Sequence, residues 1–177
     1  RNLVFCFLLS ITAVNAQEAD TVYKPVEYPS GYRAQLNVVY TRVKDWEGKM
    51  DLYLAPAEKG LSPVVINIHG GGWNHGVKES QTGFSTFFKA GFAVANIEYR
   101  LTGQATAPAA IEDTRCALIY LVKNAKELNI DVNKIVIMGG SAGGHLALMG
   151  GLLGNDHRFD GNCPGVENIK VAAIIDK

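Results

Sequence analysis

Ser141 lies in a five-residue stretch, Gly139 to Gly143, that matches the pattern G-x-S-x-G. The apolar run 135–138 precedes it and suits a buried strand, and helix-forming residues at 146–149 follow it. Strand, tight glycine turn and helix are the order that a nucleophile elbow requires, in which a serine hydroxyl stands exposed above a sheet. Small neighbours are needed because a Cβ at Gly139 or Gly143 would collide with the adjoining strand or helix. The alternative is a glycine-rich loop that only binds an anion or packs closely.

A second glycine cluster, H-G-G-G-W at residues 69–73, follows the β-branched run 64–68. Successive glycines lose much conformational entropy on folding, so the position must require them. The requirement that fits is a close approach of bare backbone N–H groups to a substrate oxygen, as in the oxyanion hole of an acyl-transfer enzyme. Taken alone, the cluster could also be a flexible turn. The two glycine motifs together favour acyl transfer.

Strand and helix patterns alternate along the chain from residue 63 onward. This order predicts an α/β fold of three layers, with a mostly parallel sheet and helices on both faces. Before it, a hairpin turning around residues 45–48 is expected at the edge of the sheet. The expected strands are 35–43, 49–54, 64–68, 92–97, 135–138 and 171–175, and the expected helices are 80–90, 109–128 and 146–153.

Residues 1–16 have the composition of a secretory signal peptide. Arg1 precedes an apolar stretch at 3–14, and Val14 and Ala16 are small residues at the positions that a signal peptidase reads, so cleavage is expected after Ala16. A membrane anchor is the alternative, but the stretch is too short to span the hydrocarbon core. We therefore expect a secreted or periplasmic protein without stable membrane insertion. An irregular lead-in is expected at 17–34, ahead of a single domain at 35–177.

The composition limits the classes of partner. Lysine plus arginine equals aspartate plus glutamate, 17 each in 177 residues, so the formal net charge is zero. This balance gives no sign of a nucleic-acid partner or of an anionic membrane surface. The histidines, cysteines and acidic residues lack metal-ligand spacing, so neither a metal nor another cofactor is expected.

The cysteines leave two alternatives. Cys6 is removed with the signal peptide, whereas Cys116 falls in an expected helix and Cys163 in an expected loop. An oxidising compartment would allow Cys116 and Cys163 to pair. We expect instead a buried free thiol and a loop thiol, because the sequence gives no sign that the two residues approach each other.

Several polar or aromatic residues lie near the expected site. Glu98, Tyr99 and Arg100 follow an expected strand, and a structural ion pair is expected there, with substrate contact as the alternative. Asp113, in the long helix, is expected either to bond a neighbouring loop or to lie on a solvated face. His75 is expected at the surface, and Trp73 is expected either to shape an acyl pocket or to cover the core.

Four segments occur in one unbroken order and together resemble the α/β-hydrolases: H-G-G-G-W at 69–73, E-Y-R-L at 98–101, the helix with Glu112 and Asp113, and G-G-S-A-G-G-H-L-A at 139–147. Within that superfamily the sequence is similar to the hormone-sensitive-lipase-like esterases, especially the secreted bacterial feruloyl and acetyl esterase type called BD-FAE. The resemblance covers residues 35–176. It implies that the domain at 35–177 has the α/β-hydrolase fold.

The resemblance also implies roles for the two glycine motifs. Ser141 would be the acyl-accepting nucleophile. The oxyanion hole would consist of the backbone N–H groups of Gly71, Gly72 and Ala142. The residues that would support this arrangement are His69, Gly70, Trp73 and Gly140.

A serine nucleophile needs a base, and the base needs an orienting acid. In this fold the chain order is serine, then aspartate or glutamate, then histidine. After Ser141 the chain offers His145, His157, Asp156, Asp160 and Asp176. The family takes its acid and histidine from loops after later strands. We therefore expect both groups to lie outside this chain, which would be the front part of an enzyme, truncated at the C-terminus and inactive by itself.

The expected function is that of a serine esterase that forms an acyl-enzyme. Its substrates would be small acyl esters, such as acetyl or feruloyl esters of carbohydrate. A serine peptidase of the prolyl-oligopeptidase type shares the fold and the elbow and is one alternative. A binding module on a hydrolase-like scaffold that has lost catalysis is the other.

Overall fold

The computed structural model describes residues 22–163, 165–166 and 168–177. The expected signal peptide at 1–16, with Cys6, lies outside them. Residues 22–32 contain no helix or strand, and the first strand begins at Arg33, inside the range expected to be irregular. The lead-in packs on the domain, because the hydroxyl of Tyr32 donates hydrogen bonds to the carbonyl oxygens of Phe88 and Phe92, each at 3.1 Å.

Six strands form one sheet in the order β1-β2-β4-β3-β5-β6. β2 is antiparallel to both β1 and β4, and the remaining neighbours are parallel. The strands are β1 (Arg33–Val43), β2 (Trp46–Leu54), β3 (Ser62–Ile68), β4 (Ala93–Ile97), β5 (Ile130–Gly139) and β6 (Ala173–Asp176). The expected α/β fold, with a mostly parallel sheet and an antiparallel hairpin at one edge, is confirmed.

Helices cover both faces of the sheet. They are α1 (Ser85–Lys89), α2 (Pro108–Lys123), α3 (Ala125–Leu128) and α4 (Ala142–Leu152), and single 3₁₀ turns lie at Ala57–Lys59 and Lys78–Ser80. Side chains alternate across a strand, so Ile66 joins the core with α2, α3 and α4, whereas Val65 packs with Phe84 and Phe88 beside and within α1. No helix in the described part of the chain has the length and apolar composition needed to cross a bilayer.

Two expected helices are shorter in the structure. The helix expected at 80–90 is only Ser85–Lys89, because Gln81 is extended and Gly83 favours helix poorly. The helix expected at 109–128 is interrupted at Asn124, whose side-chain amide donates to the carbonyl oxygen of Tyr120 at 2.8 Å. A polar side chain that bonds the backbone in this way competes with the helical pattern.

The hairpin turn lies earlier than the sequence indicated. Val43 pairs with Trp46, so the turn consists of Lys44 and Asp45 alone. Residues 46–48 belong to β2 because they pair with residues 41–43 of β1. The Trp46 ring also packs edge-on against the Tyr40 ring, with the ring centres 6.5 Å apart.

The loop after α4 is tied to α2 by a disulfide and by a buried ion pair. Cys116 and Cys163 form the disulfide, with their Cα atoms 5.5 Å apart, so the expectation of two free thiols was wrong. Beside it, Arg115 donates to both carboxylate oxygens of Asp160 at 2.8 Å, and both residues are buried. Cys116 and Cys163 are 47 residues apart in the sequence, so their pairing depends on the path of the loop after α4 and does not follow from a local sequence pattern.

Removing the disulfide should destabilise the domain. We expect the double variant Cys116→Ala/Cys163→Ala to lose about 2–4 kcal/mol of unfolding free energy, because the bridge restricts the unfolded chain. Urea unfolding of the oxidised protein and of the variant measures the difference. Reductant should lower the midpoint of the wild type and leave the variant unchanged, and two titratable thiols in the untreated native protein would contradict the bridge.

Candidate active site

Ser141 occupies the tight bend between β5 and α4. Its φ is +54°, in the left-handed region that residues other than glycine rarely adopt, and its side chain is exposed. The bend is closed by hydrogen bonds from the N–H of Gly143 to the carbonyl of Gly140 at 2.9 Å and from the N–H of His145 to the carbonyl of Ser141 at 3.0 Å. Strain of this kind persists only where the surrounding structure enforces it, and it is concentrated at functional sites.

The glycines on either side of Ser141 are sterically required. A Cβ at Gly139 would collide with the backbone of Gly143, and a Cβ at Gly143 would collide with the carbonyl oxygens of Ile68 and His69 at the end of β3. The expectation that side chains here would strike the adjoining strand or helix is therefore confirmed. The start of α4 is pressed directly against the end of β3.

The second glycine cluster lies directly against this bend. A Cβ at Gly70 would be 2.8 Å from the carbonyl oxygen of Gly140 and 3.7 Å from the Cβ of Ser141. Gly71, Gly72 and Trp73 all have positive φ, at +119°, +55° and +61°. Such consecutive left-handed residues turn the chain sharply, and the N–H groups of residues 74 and 75 both close the turn on the carbonyl of Gly71 at 3.1 Å. The structure thus brings the two glycine motifs together.

His69 holds the first end of the loop 69–77. It is buried, its ring stacks on the ring of Tyr99 with the centres 4.4 Å apart, and the Tyr99 hydroxyl donates to its carbonyl oxygen at 3.2 Å. Its Nδ1 donates to the carbonyl oxygen of Gly70 at 2.7 Å. Burial lowers the pKa of His69, which favours a neutral ring. A buried ring held in this way fits the supporting role expected of it.

Buried polar residues that the sequence reading missed hold the other end of the loop 69–77. Lys78 is buried and donates to Asp51 at 3.1 Å, and its carbonyl accepts a bond from the Asn96 amide at 2.7 Å. Asn67 in turn donates to Asn96 at 2.9 Å. The sequence did contain a signal for this network, because Asn67 and Asn96 each stand one residue before the end of an otherwise apolar strand. Burial acts against the charge of Lys78, but bonds to Glu79 and Asp51 outweigh it and raise the pKa of Lys78.

Trp73 lies at the tip of the loop and is 36% exposed. Its ring meets the ring of His145 edge to face, with the centres 5.4 Å apart, and its carbonyl oxygen accepts a hydrogen bond from the N–H of Thr102 at 2.8 Å. Trp73 and His145 therefore form an aromatic pair beside the bend that carries Ser141.

Within the described residues, no histidine side chain forms a hydrogen bond to the hydroxyl of Ser141. Nδ1 of His75 bonds Asn74, and Nδ1 of His157 bonds Asp160 at 2.8 Å. Burial raises the pKa of Asp160, but bonds from Arg115 and His157 outweigh this effect and lower it.

Of the acidic residues after Ser141, Asp156 and Asp160 are engaged elsewhere. Asp156 pairs with Arg158 at 2.8 Å, and Asp160 bonds Arg115 and His157. Asp176 ends β6, where its carboxylate occupies the space that a Cβ at Gly144 would need. Within the described residues no group of three or more histidine, cysteine or acidic side chains is placed to hold a metal.

Arg100 forms the structural ion pair expected after β4. It bonds Asp113 through its side chain at 2.8–3.0 Å and through its backbone N–H at 2.8 Å, and it bonds Glu112 at 3.0 Å. Asp113 is fully buried, so the alternative of a solvated face is wrong. Glu98 takes no part in this pairing, and its side chain has no hydrogen bond or ion pair within the described residues.

The chain is similar to known proteins in both sequence and structure. A family model described as BD-FAE matches residues 50–177. The chain is 40% identical over 93 residues to the AB hydrolase superfamily protein C1039.03 of Schizosaccharomyces pombe, over 51% of this chain and 27% of that protein. It is 31% identical over 121 residues to Carboxylesterase NlhH of Mycobacterium tuberculosis, over 65% of this chain and 38% of that protein.

Among solved structures, the Bacterial Heroin Esterase superposes with a TM-score of 0.64 and 33% identity, over 84% of this chain and 45% of that chain. The chain thus spans less than half the length of each of these three proteins.

A side chain at Gly143 should disturb the bend. We expect Gly143→Ala to lower the unfolding free energy by about 1–3 kcal/mol, because the new methyl group would be forced against the end of β3. Gly161→Ala is the matched control, since no atom lies within 4 Å of the added Cβ there. Urea unfolding compares the two variants, and equal stabilities would show that the contact between α4 and β3 is looser than described.

Proposed function

The chain belongs to the BD-FAE family of α/β-hydrolases, and from that membership we propose that the protein is a serine ester hydrolase with Ser141 as its nucleophile. The observation that carries the proposal is the contact between the two glycine motifs. An exposed serine on a strained bend lies against a loop that has only glycine at three successive positions. That combination is suited to acyl transfer, since attack and stabilisation of the oxyanion must occur at one carbonyl group.

In the proposed reaction, Oγ of Ser141 attacks the ester carbonyl carbon and loses its proton to a base. The carbonyl oxygen becomes negatively charged and accepts hydrogen bonds from the N–H groups of Gly71, Gly72 and Ala142. The N-terminus of α4 points the positive end of its dipole at the same charge. The alcohol then leaves with the proton, and water releases the acid from the acyl-enzyme by the reverse sequence.

We place the base and its orienting acid in the full-length protein, outside these 177 residues. The chain's own histidines support this placement, because each has another contact. His69 is buried against Tyr99, His75 bonds Asn74, His145 packs on Trp73, and His157 bonds Asp160. The proposed base would approach Ser141 from a loop beyond β6.

The substrates that we propose are small acyl esters, including acetyl or feruloyl esters of carbohydrate. Two relatives are a carboxylesterase and a heroin esterase by name, which supports ester cleavage and favours it over the peptidase alternative. We further propose export from the cytoplasm. The apolar stretch at 3–14 and the disulfide between Cys116 and Cys163 support export, because such bridges persist in oxidising compartments.

Replacing the proposed nucleophile should abolish hydrolysis. In the full-length protein, Ser141→Ala should lower kcat/KM on 4-nitrophenyl acetate by at least about 10³-fold, since no acyl-enzyme can form. Ser30→Ala, at an exposed position of the lead-in, is the matched control and should keep full activity. A fluorophosphonate probe should add its mass to the peptide containing Ser141, and labelling elsewhere or equal rates in the two variants would end the nucleophile assignment.

The oxyanion loop can be tested with two neighbouring glycines. Gly71→Ala would drive its Cβ into the carbonyl of His75, so the loop N–H groups should move and kcat should fall about 10²–10³-fold, as when one oxyanion donor is lost. Gly72→Ala meets no clash, with the nearest atom 3.6 Å from the added Cβ, and is strained only by its φ of +55°, so it should lose less. Steady-state kinetics of both folded variants should show the loss in kcat more than in KM, and full kcat in Gly71→Ala would contradict the assignment.

A further inference from the structure

A cleft opens at the end of the sheet where the parallel strands finish, which is also the end that carries Ser141. Part of it is a hollow of about 200 Å³ whose wall includes Trp46, Glu98 and Gln104, and the rest is a hollow of about 400 Å³ between the β1–β2 turn and Arg100. Trp46 and Gln104 line both hollows, so we treat them as one and call it the hairpin cleft. Together they reach the size that is typical of small-ligand sites, about 300–1,000 Å³.

The strand register places the hairpin cleft close to the nucleophile. Ile68 of β3 pairs with Ile97 of β4 on one side and with Gly139 of β5 on the other. Glu98 and Ser141 follow this row by one and two residues. Neighbouring strands lie about 4.8 Å apart, so the ends of β4 and β5 are separated by about 10 Å. That separation suits one ligand that reaches from the cleft to Ser141.

Glu98 is the unusual group in the cleft. Its side chain is half-buried, and burial raises its pKa, yet within the described residues it has neither a hydrogen bond nor an ion pair. The cations that act on it are paired with other carboxylates, Lys78 with Asp51 and Lys49 with Glu47. A desolvated carboxylate without donors is unfavourable for the folded state. Its oxygens remain available to donors from a ligand.

The other walls of the cleft complement this acceptor. Oε1 of Gln104 accepts a bond from the N–H of Leu101 at 2.9 Å, which leaves the amide nitrogen of Gln104 without a bond within the described residues. Trp46 is half-buried. Arg100 covers one face of its ring, with the guanidinium carbon 5.5 Å from the ring centre, and the rest of the ring contributes aromatic surface. One wall therefore accepts hydrogen bonds, another donates them, and a third is apolar. A sugar ring presents hydroxyl groups of both kinds around apolar C–H faces, and matches all three.

We propose that the hairpin cleft binds the carbohydrate part of the ester while its acyl group lies at Ser141. Glu98 accepts hydrogen bonds from sugar hydroxyls, Gln104 donates to one, and Trp46 contacts the C–H face of a ring. This inference rests on the proposed esterase function and assigns its alcohol specificity to residues outside the two glycine motifs. The turn 101–105 joins the cleft to the active-site loop, because the N–H of Thr102 donates to the carbonyl of Trp73 at 2.8 Å.

The test uses the full-length protein and two acetyl esters, an acetylated xylo-oligosaccharide and 4-nitrophenyl acetate, which lacks a sugar. Glu98→Ala should lower the ratio of kcat/KM on the first ester to that on the second about tenfold, the value of roughly one hydrogen bond to a charged group. Gln104→Ala should lower the ratio by a smaller factor. Glu127→Ala, at an exposed position of α3, is the matched control and should leave the ratio unchanged.

A stability measurement distinguishes a binding role from a structural one. Because Glu98 is desolvated and unpaired, Glu98→Ala should unfold in urea at the same midpoint as the wild type or at a higher one at pH 7. At low pH Glu98 is protonated in both the folded and the unfolded protein, so any gain should disappear there. A lower midpoint at pH 7 would mean that Glu98 serves the fold, and would overturn the proposal.

The remaining outcomes separate this proposal from the esterase function. Cleavage of 4-nitrophenyl acetate through Ser141 without cleavage of the sugar ester, or equal ratios in Glu98→Ala and Glu127→Ala, would overturn the cleft and leave the esterase intact. If neither ester is cleaved, the esterase function fails, and titration with xylohexaose followed by calorimetry decides the cleft alone. Binding that is lost in Glu98→Ala would support the cleft, and absence of binding to the wild type would overturn it.

Discussion

The site depends on a steric constraint, namely that β3, β5 and α4 meet at a separation smaller than any side chain. Gly139 and Gly143 fill this junction because a methyl group on either would strike backbone atoms. The same closeness forces Ser141 into a left-handed conformation and turns its side chain out of the packed layers. It also brings Gly70 against the carbonyl of Gly140, so one contact region sets the position of both glycine motifs.

The loops above the sheet are then fixed by buried ion pairs. Lys78 holds the end of the glycine loop through Asp51, and Arg100 holds the start of the next loop through Asp113. Ordering a loop costs conformational entropy, and a buried charge is tolerated only beside an opposite one. Each anchor therefore fixes the position of a loop more than it stabilises the fold. Fixed donors are what stabilisation of a developing negative charge requires, since they need not reorganise during the reaction.

The sequence predicted the layered fold and the contact of the two glycine motifs, because both follow from local patterns. The alternation of apolar strands and helices predicts the layers, and glycine at positions 139 and 143 predicts the close approach of the bend to its neighbouring strand and helix. It did not predict the disulfide of Cys116 with Cys163, because that pairing depends on the path of a long loop. The break at Asn124 was missed because one side-chain bond to the backbone outweighed an apolar pattern that continues past it.

Two residues on one edge of the sheet depart from what stability alone favours. The charged side chains that are fully buried in residues 22–163 all have an opposite partner, in the pairs Lys78–Asp51, Arg100–Asp113 and Arg115–Asp160. Glu98, half-buried beside them, has none within the described residues, and Ser141 holds a strained backbone. Sequences that otherwise agree with their fold break local rules mainly where function requires it. Since these two departures follow the ends of β4 and β5, which are about 10 Å apart with β3 between them, one ligand that engages both is a simpler explanation than two unrelated defects.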